Sequence, residues 1–110
     1  MTNIVESATP AARQLYSTLL SRLGRVGTFD EERKKTSVHL SRRSAFVGVR
    51  FRQEYLILTL KADQPIQSER VEKSEQVSRN RWHCDIKVRR EAEIDAELMK
   101  WLTDSYDLCG

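Results

Sequence analysis

The chain is poor in the residues that cross-link or punctuate small folds: among 110 residues there are two cysteines, two prolines and four glycines. Cys84 and Cys109 form no C-x-x-C pair, and the two histidines, His39 and His83, stand apart in sequence. Neither a zinc site nor a disulfide framework is therefore expected, and both thiols are read as free. Gly24, Gly27, Gly48 and Gly110 are scattered, which argues against a P-loop or a dinucleotide-binding turn; no cofactor and no metal are expected. No run approaches the ~20 apolar residues that cross a bilayer. The start of the chain also lacks a basic stretch followed by an apolar block, so no membrane partner and a cytoplasmic location are expected.

Acid is the most informative absence. Residues 33–53 hold seven basic side chains, Arg33, Lys34, Lys35, Arg42, Arg43, Arg50 and Arg52, and no acidic one. The last twenty residues reverse the balance, with six acids against Lys100 alone. This asymmetry says more than the net charge of +3, because a clustered cationic surface attracts phosphate-bearing partners by counterion release and long-range steering.

What is present is the composition of a folded domain. Hydrophobic residues make up 39% and charged residues 32%, too apolar for a disordered chain. The length suits one core, so residues 1–110 are read as a single domain whose first eight residues are flexible.

Between residues 9 and 26, Ala12, Leu15, Tyr16, Leu19, Leu20, Leu23 and Val26 recur at the spacing of a helix with one buried face. Thr9 suits its cap, Pro10 its first position and Gly27 its end. Residues 30–35 suggest one further short helical turn. Three strand-like runs follow, and alternation gives each a face. Val38 and Leu40 oppose Ser37 and His39. Ala45, Val47, Val49 and Phe51 oppose Phe46, Gly48, Arg50 and Arg52, and Leu56, Leu58 and Leu60 oppose Tyr55, Ile57, Thr59 and Lys61. Residues 41–44 and 53–54 are short enough for hairpin links, which makes the pairing antiparallel. After Pro65 the pattern fades, and residues 64–80 read as a loop with one irregular strand. Trp82, Cys84, Ile86 and Val88 then alternate with His83, Asp85, Lys87 and Arg89. A closing helix is marked by Ile94, Leu98, Trp101, Leu102 and Tyr106, with Glu93, Asp95 and Glu97 complementing its N-terminal dipole.

These elements predict an α+β two-layer sandwich: an antiparallel sheet of about four to five strands with the N- and C-terminal helices on one face. Its open face would carry Lys35, His39, Arg50, Arg52, Lys61, His83, Lys87 and Arg89, interleaved with Phe46, Tyr55 and Ile57. Bases among aromatics suit nucleic acid, where stacking adds to charge neutralisation.

Several phrases resemble a family of small bacterial domains of unknown function: Lys35-Thr36-Ser37-Val38-His39-Leu40, Leu58-Thr59-Leu60, the run from Lys73-Ser74-Glu75-Gln76-Val77 to Ser78-Arg79-Asn80-Arg81-Trp82-His83, and Leu102-Thr103-Asp104-Ser105-Tyr106. The resemblance covers most of the chain from about Leu15 and implies no activity. The segment from Trp82 to Ser105-Tyr106-Asp107-Leu108 is also similar, over a shorter stretch, to the MmcQ/YjbR-like family. That similarity implies a compact α+β fold of a kind likened to DNA-binding proteins.

The expected binding residues are Lys35, His39, Arg50, Arg52, Lys73, Ser74, Arg79, Asn80, Arg81 and His83, with Phe46 and Tyr55 as stacking platforms. Lys73, Ser74, Arg79, Asn80 and Arg81 lie in one donor-rich loop, residues 73–83, suited to phosphate or carboxylate. His39 and His83 have the chemistry of an acid and base pair, but no nucleophile is matched to them. Asp85-Ile86-Lys87 is similar to half of a metal-dependent nuclease signature whose other acid has only loose candidates in Asp63, Glu72 and Glu75. The reading favoured here is a non-enzymatic module for an anionic partner, with nucleic acid foremost. The alternative is a protein-interaction or homodimerisation domain in which basic strands meet an acidic C-terminal helix, and a small nuclease or hydrolase is third.

Overall fold

The computed structural model describes residues 3–110 and contains six strands where alternation suggests four to five. In chain order the elements are Ile4–Ser7 (α1), Pro10–Leu23 (α2), Asp30–Arg33 (β1), Val38–Ser41 (β2), Ala45–Phe51 (β3), Leu56–Ala62 (β4), Val71–Ser78 (β5), Arg81–Val88 (β6), a 3-10 turn at Glu91–Glu93, and Ala96–Leu108 (α3). The strands form one antiparallel sheet in the order β1-β2-β3-β4-β6-β5. Helices α2 and α3 pack on one face, as the α+β reading expects.

The two additional strands are the sheet's edges. Residues 30–33 are β1 and not a helical turn, and the fading segment after Pro65 contains the eight-residue β5. Both are almost wholly exposed, so neither has an apolar face to reveal it. An edge strand is held by its ladder to one neighbour, a bond pattern that leaves no periodicity in the side chains.

Helix α2 starts where Thr9 Oγ1 accepts the Ala12 N–H at 3.2 Å and Pro10 takes the first turn. It buries Ala12, Leu15, Tyr16, Leu19 and Leu23, each large side chain contributing about 1.5–3 kcal/mol. Helix α3 is capped by Asp95, whose Oδ1 accepts the Leu98 N–H at 2.9 Å. From the sheet, Val38, Leu40, Val47, Val49, Leu56, Leu58, Leu60, Ile86 and Val88 complete one continuous core. The expected flexible start, residues 1–8, lies outside the described residues at positions 1 and 2. Beyond them α1 is capped by Asn3, buries Val5 against the core, and donates the Ile4 N–H to the Lys34 carbonyl.

One position overturns the alternation. Ser41 pairs with Ala45 but Leu40 pairs with Val47, so Phe46 is the extra residue of a β-bulge. The bulge turns Phe46 into the core, where it is fully buried and meets Phe29 and Tyr106 edge to face at 5.9 and 5.2 Å between centroids. Ala45 is left on the open side. Phe46 is therefore no stacking platform; strict period-2 reading fails where a strand holds one residue too many.

Beside the bulge, β3 and β4 part, and α3 fills the gap. Ser105 is the one buried polar side chain among the described residues. Its hydroxyl donates to the Phe46 carbonyl and accepts the Lys61 N–H at 2.9 Å, replacing the ladder bond lost at that step. Ser105→Ala leaves both backbone groups buried without partners and is expected to cost about 1–3 kcal/mol, readable as a lowered midpoint in denaturant unfolding. Tyr106, one residue on, passes so close to Gly27 that a Cβ there would lie 2.3 Å from its hydroxyl. That hydroxyl donates to the Thr28 carbonyl at 2.7 Å, so Gly27 provides room for the contact.

Candidate anion-binding site on the open sheet face

The sheet's uncovered face is built in rows. Glu32, His39, Gly48, Thr59, Asp85 and Lys73 lie opposite one another across all six strands. On one side of that row run Arg50, Ile57 and Lys87; on the other, Lys61, His83 and Glu75. Gly48 has no side chain to stand above the sheet, and the space over it is a shallow groove of about 260 Å³ lined by His39, Arg50, Thr59, Lys61 and His83. A Cβ on Gly48 would meet His39 and Thr59 only at ordinary contact distance, 3.9 Å, so the groove is defined by the missing side chain and not by strain. A smaller hollow of about 180 Å³ shares Thr59 and His83 and extends toward Lys73 and Glu75.

Asp85 is the carboxylate at the centre. Its Oδ2 accepts from Arg50 at 3.0 Å and its Oδ1 from Thr59 at 2.7 Å. Its charge is thereby answered from within the sheet, and both oxygens are committed. Lys61 enters no ion pair among the described residues. Burial, and then the nearby Lys61 ammonium, hold the His83 imidazole below its ordinary value, against the upward pull of Glu75 and Asp85. The Lys61 end of the groove therefore presents cation without a bound counter-charge, the environment an anion requires.

Of the sequence candidates, the structure brings His39, Arg50 and His83 together here, and sets Lys73 at the outer edge, 3.8 Å from Glu75. It does not gather the others. Lys35 is exposed in the β1–β2 turn and Arg52 in the β3–β4 turn, where its N–H donates to the Tyr55 carbonyl. Residues 73–83 are not a loop but the β5–β6 hairpin: Arg79 and Asn80 form its tip, the Arg81 guanidinium donates to the Asn80 carbonyl, and Ser74 turns its hydroxyl toward Cys84. Tyr55 is half-buried, its ring overlain by Lys87 and Arg89 at 5.3 and 5.8 Å. The acid-free stretch is answered from outside itself: Glu31 pairs with Arg33 and Glu32 with Lys34. Arg42 lies over the Tyr106 ring and donates to its carbonyl, and the Arg43 N–H binds the Cys109 carbonyl.

Lys61, Thr59 and Gly48 line the same groove without being among the sequence candidates. Alternation with Leu58 and Leu60 puts Thr59 and Lys61 on this face, and alternation with Val47 and Val49 puts Gly48 there. The half-signature Asp85-Ile86-Lys87 is spent on structure, since Lys87 pairs with Glu72 at 3.4 Å and Asp85 with Arg50. Among the described residues, no group of three His, Cys, Asp or Glu side chains converges as a metal site would require. A larger cleft of about 580 Å³ lies between the end of β4 and α3, with Lys61 also on its rim. It is lined by Trp101, Ile66, Asp63, Asp104 and Asp107, carboxylates that would repel an anion. No helix of the described residues is long and apolar enough to cross a membrane.

A family model described as a domain of unknown function, DUF5655, matches residues 1–109, and the chain belongs to this family. No curated protein and no solved structure matches it.

Proposed function

We propose that this DUF5655 domain is a binding module for an anionic partner, which it holds on the open face of its sheet with Lys61, His83, His39 and Arg50. The observation that supports this reading is the groove over Gly48, where Lys61, Arg50, His39 and His83 stand among small and apolar residues, while the carboxylate beside it, Asp85, is already held by Arg50 and Thr59. A ligand bearing phosphate or carboxylate matches the donors. For nucleic acid, Lys87, Arg89 and Arg81 extend the cationic track, but stacking has little platform once Phe46 is buried and Tyr55 is covered. A compact anion, or a phosphate backbone without base stacking, is the favoured form.

The test is a set of titrations with pyrophosphate, a mononucleotide, and single- and double-stranded oligonucleotides, each at two salt concentrations. Binding that weakens with salt and falls in the double variant Lys61→Ala with His83→Ala supports the proposal. Absence of binding to every probe at low salt removes it.

A pH dependence follows. The folded His83 value lies below the ordinary 6.5, so the folded chain takes up this proton less readily than the unfolded one. This group's contribution to stability is present above that range and is lost as pH falls through the depressed value. An anion beside the ring acts in the opposite sense and lifts the value, so its binding should tighten on acidification through the same window. Proton NMR of the His83 ring with and without pyrophosphate checks this: an upward shift on binding is expected, and an unchanged titration counts against a ligand at His83.

A further inference from the structure

We propose that two copies of the chain pair edge to edge through β5, in one register, to continue the sheet across a two-fold axis. Strand β5 is the last of the sheet and pairs only with β6. Its eight residues contain no proline, and all beyond Val71 are exposed, so its outer row of N–H and C=O groups faces water. Such an edge is a template for another strand. The opposite edge is less open: β1 has four residues, two ion pairs along it, and the Ile4 N–H already on the Lys34 carbonyl at its end.

Charge order selects a second copy as the occupant. Register shifts interrupt β5 between Val71 and Lys73 and between Gln76 and Ser78, leaving residues 73–76 regular. Within that piece Lys73 and Glu75 stand on the open face, 3.8 Å apart, while the Ser74 hydroxyl turns toward Cys84 on the other. Residues opposite each other in an antiparallel pair share a face. A two-fold contact within residues 73–76 therefore sets Lys73, Glu75, Gln76 or Ser74 against its own copy. The first two oppose like charges, and the third gives Lys73 and Glu75 no opposite charge. The fourth places Lys73 opposite Glu75 twice, and is the register in which the edge complements itself. Pairing also joins the two open faces side by side, each with its own groove.

An edge contact buries less than the ~1,600 Å² of a standard interface, so a weak dimer is expected, and sedimentation equilibrium of the full chain from roughly 10 μM to 1 mM suits its range. The wild-type chain should dimerise. Lys73→Glu and Glu75→Lys should each weaken the dimer by roughly tenfold or more, because both crossing pairs then become like-charged. An equimolar mixture of these two variants should associate at wild-type strength, since acids then face bases at both positions, and the double variant carrying both changes should do the same alone. Circular dichroism checks that the exposed substitutions leave the fold intact. A wild-type chain that is strictly monomeric, or a dimer indifferent to the single variants, overturns the proposal. Neither result bears on the anion groove, which titrations probe separately.

Discussion

Phe46→Ala should cost about 3–5 kcal/mol of stability, the range for removing a buried aromatic ring. For a domain of this size that corresponds to a fall in Tm of roughly 15 °C or more, measurable by calorimetry. The ring is fully buried between Phe29 and Tyr106 on the core side of the β3 bulge, so its loss opens a cavity where α3 meets the sheet. The expectation from strict alternation is the reverse: an exposed stacking residue whose removal changes stability by no more than about 0.5 kcal/mol and weakens a ligand instead. The two outcomes differ by several kcal/mol. They decide between a platform and a core wedge without any ligand being known.

Lys61→Glu is the second large effect. Lys61 lines the groove beside His83 and forms no ion pair among the described residues, so reversal breaks no native salt bridge, and its cost to stability is the repulsion from Asp63, Asp104 and Asp107 across the neighbouring cleft, about 1 kcal/mol or less. It should weaken an anion by much more. Losing one charge-assisted hydrogen bond of about 1.5–3 kcal/mol corresponds to roughly 10–100-fold in affinity, and the new like charge adds to that. By contrast, Arg79→Ala at the hairpin tip should change affinity for a compact anion little, because the tip is exposed and does not line the groove. Calorimetric titration of both variants against pyrophosphate separates a groove from a diffuse basic surface.

Where side-chain pattern reports burial, the sequence could be read directly. Leu56, Leu58 and Leu60 against Ile57, Thr59 and Lys61 give β4 its two faces, and the spacing of Leu15, Leu19 and Leu23 gives α2 its buried stripe. Those two elements already imply which sheet face is open. What could not be read had no periodic trace. Edge strands β1 and β5 are solvated on both sides, and a one-residue bulge reverses the parity of Phe46 without altering composition. The charges were legible as a count and not as a network. Sequence distance hides Asp85 from Arg50, and proximity in sequence gives no sign that Glu31 and Glu32 would turn back onto Arg33 and Lys34. His39, Arg50 and His83 can be placed on one face from sequence because alternation and charge coincide on central strands. Residues 73–83 read as a loop because a polar edge strand and a polar loop have the same composition.

The proposed anion would sit over Gly48. The most direct measurement is amide chemical-shift mapping by ¹⁵N–¹H NMR during titration with pyrophosphate at low salt, on the wild-type chain and on Lys61→Glu. Saturable shifts concentrated at His39, Gly48, Thr59, Lys61 and His83 are expected in the wild type, and their loss in the variant. Shifts that are absent, or that gather at Arg79 and Arg81 on the hairpin tip while the groove stays unchanged, would contradict it.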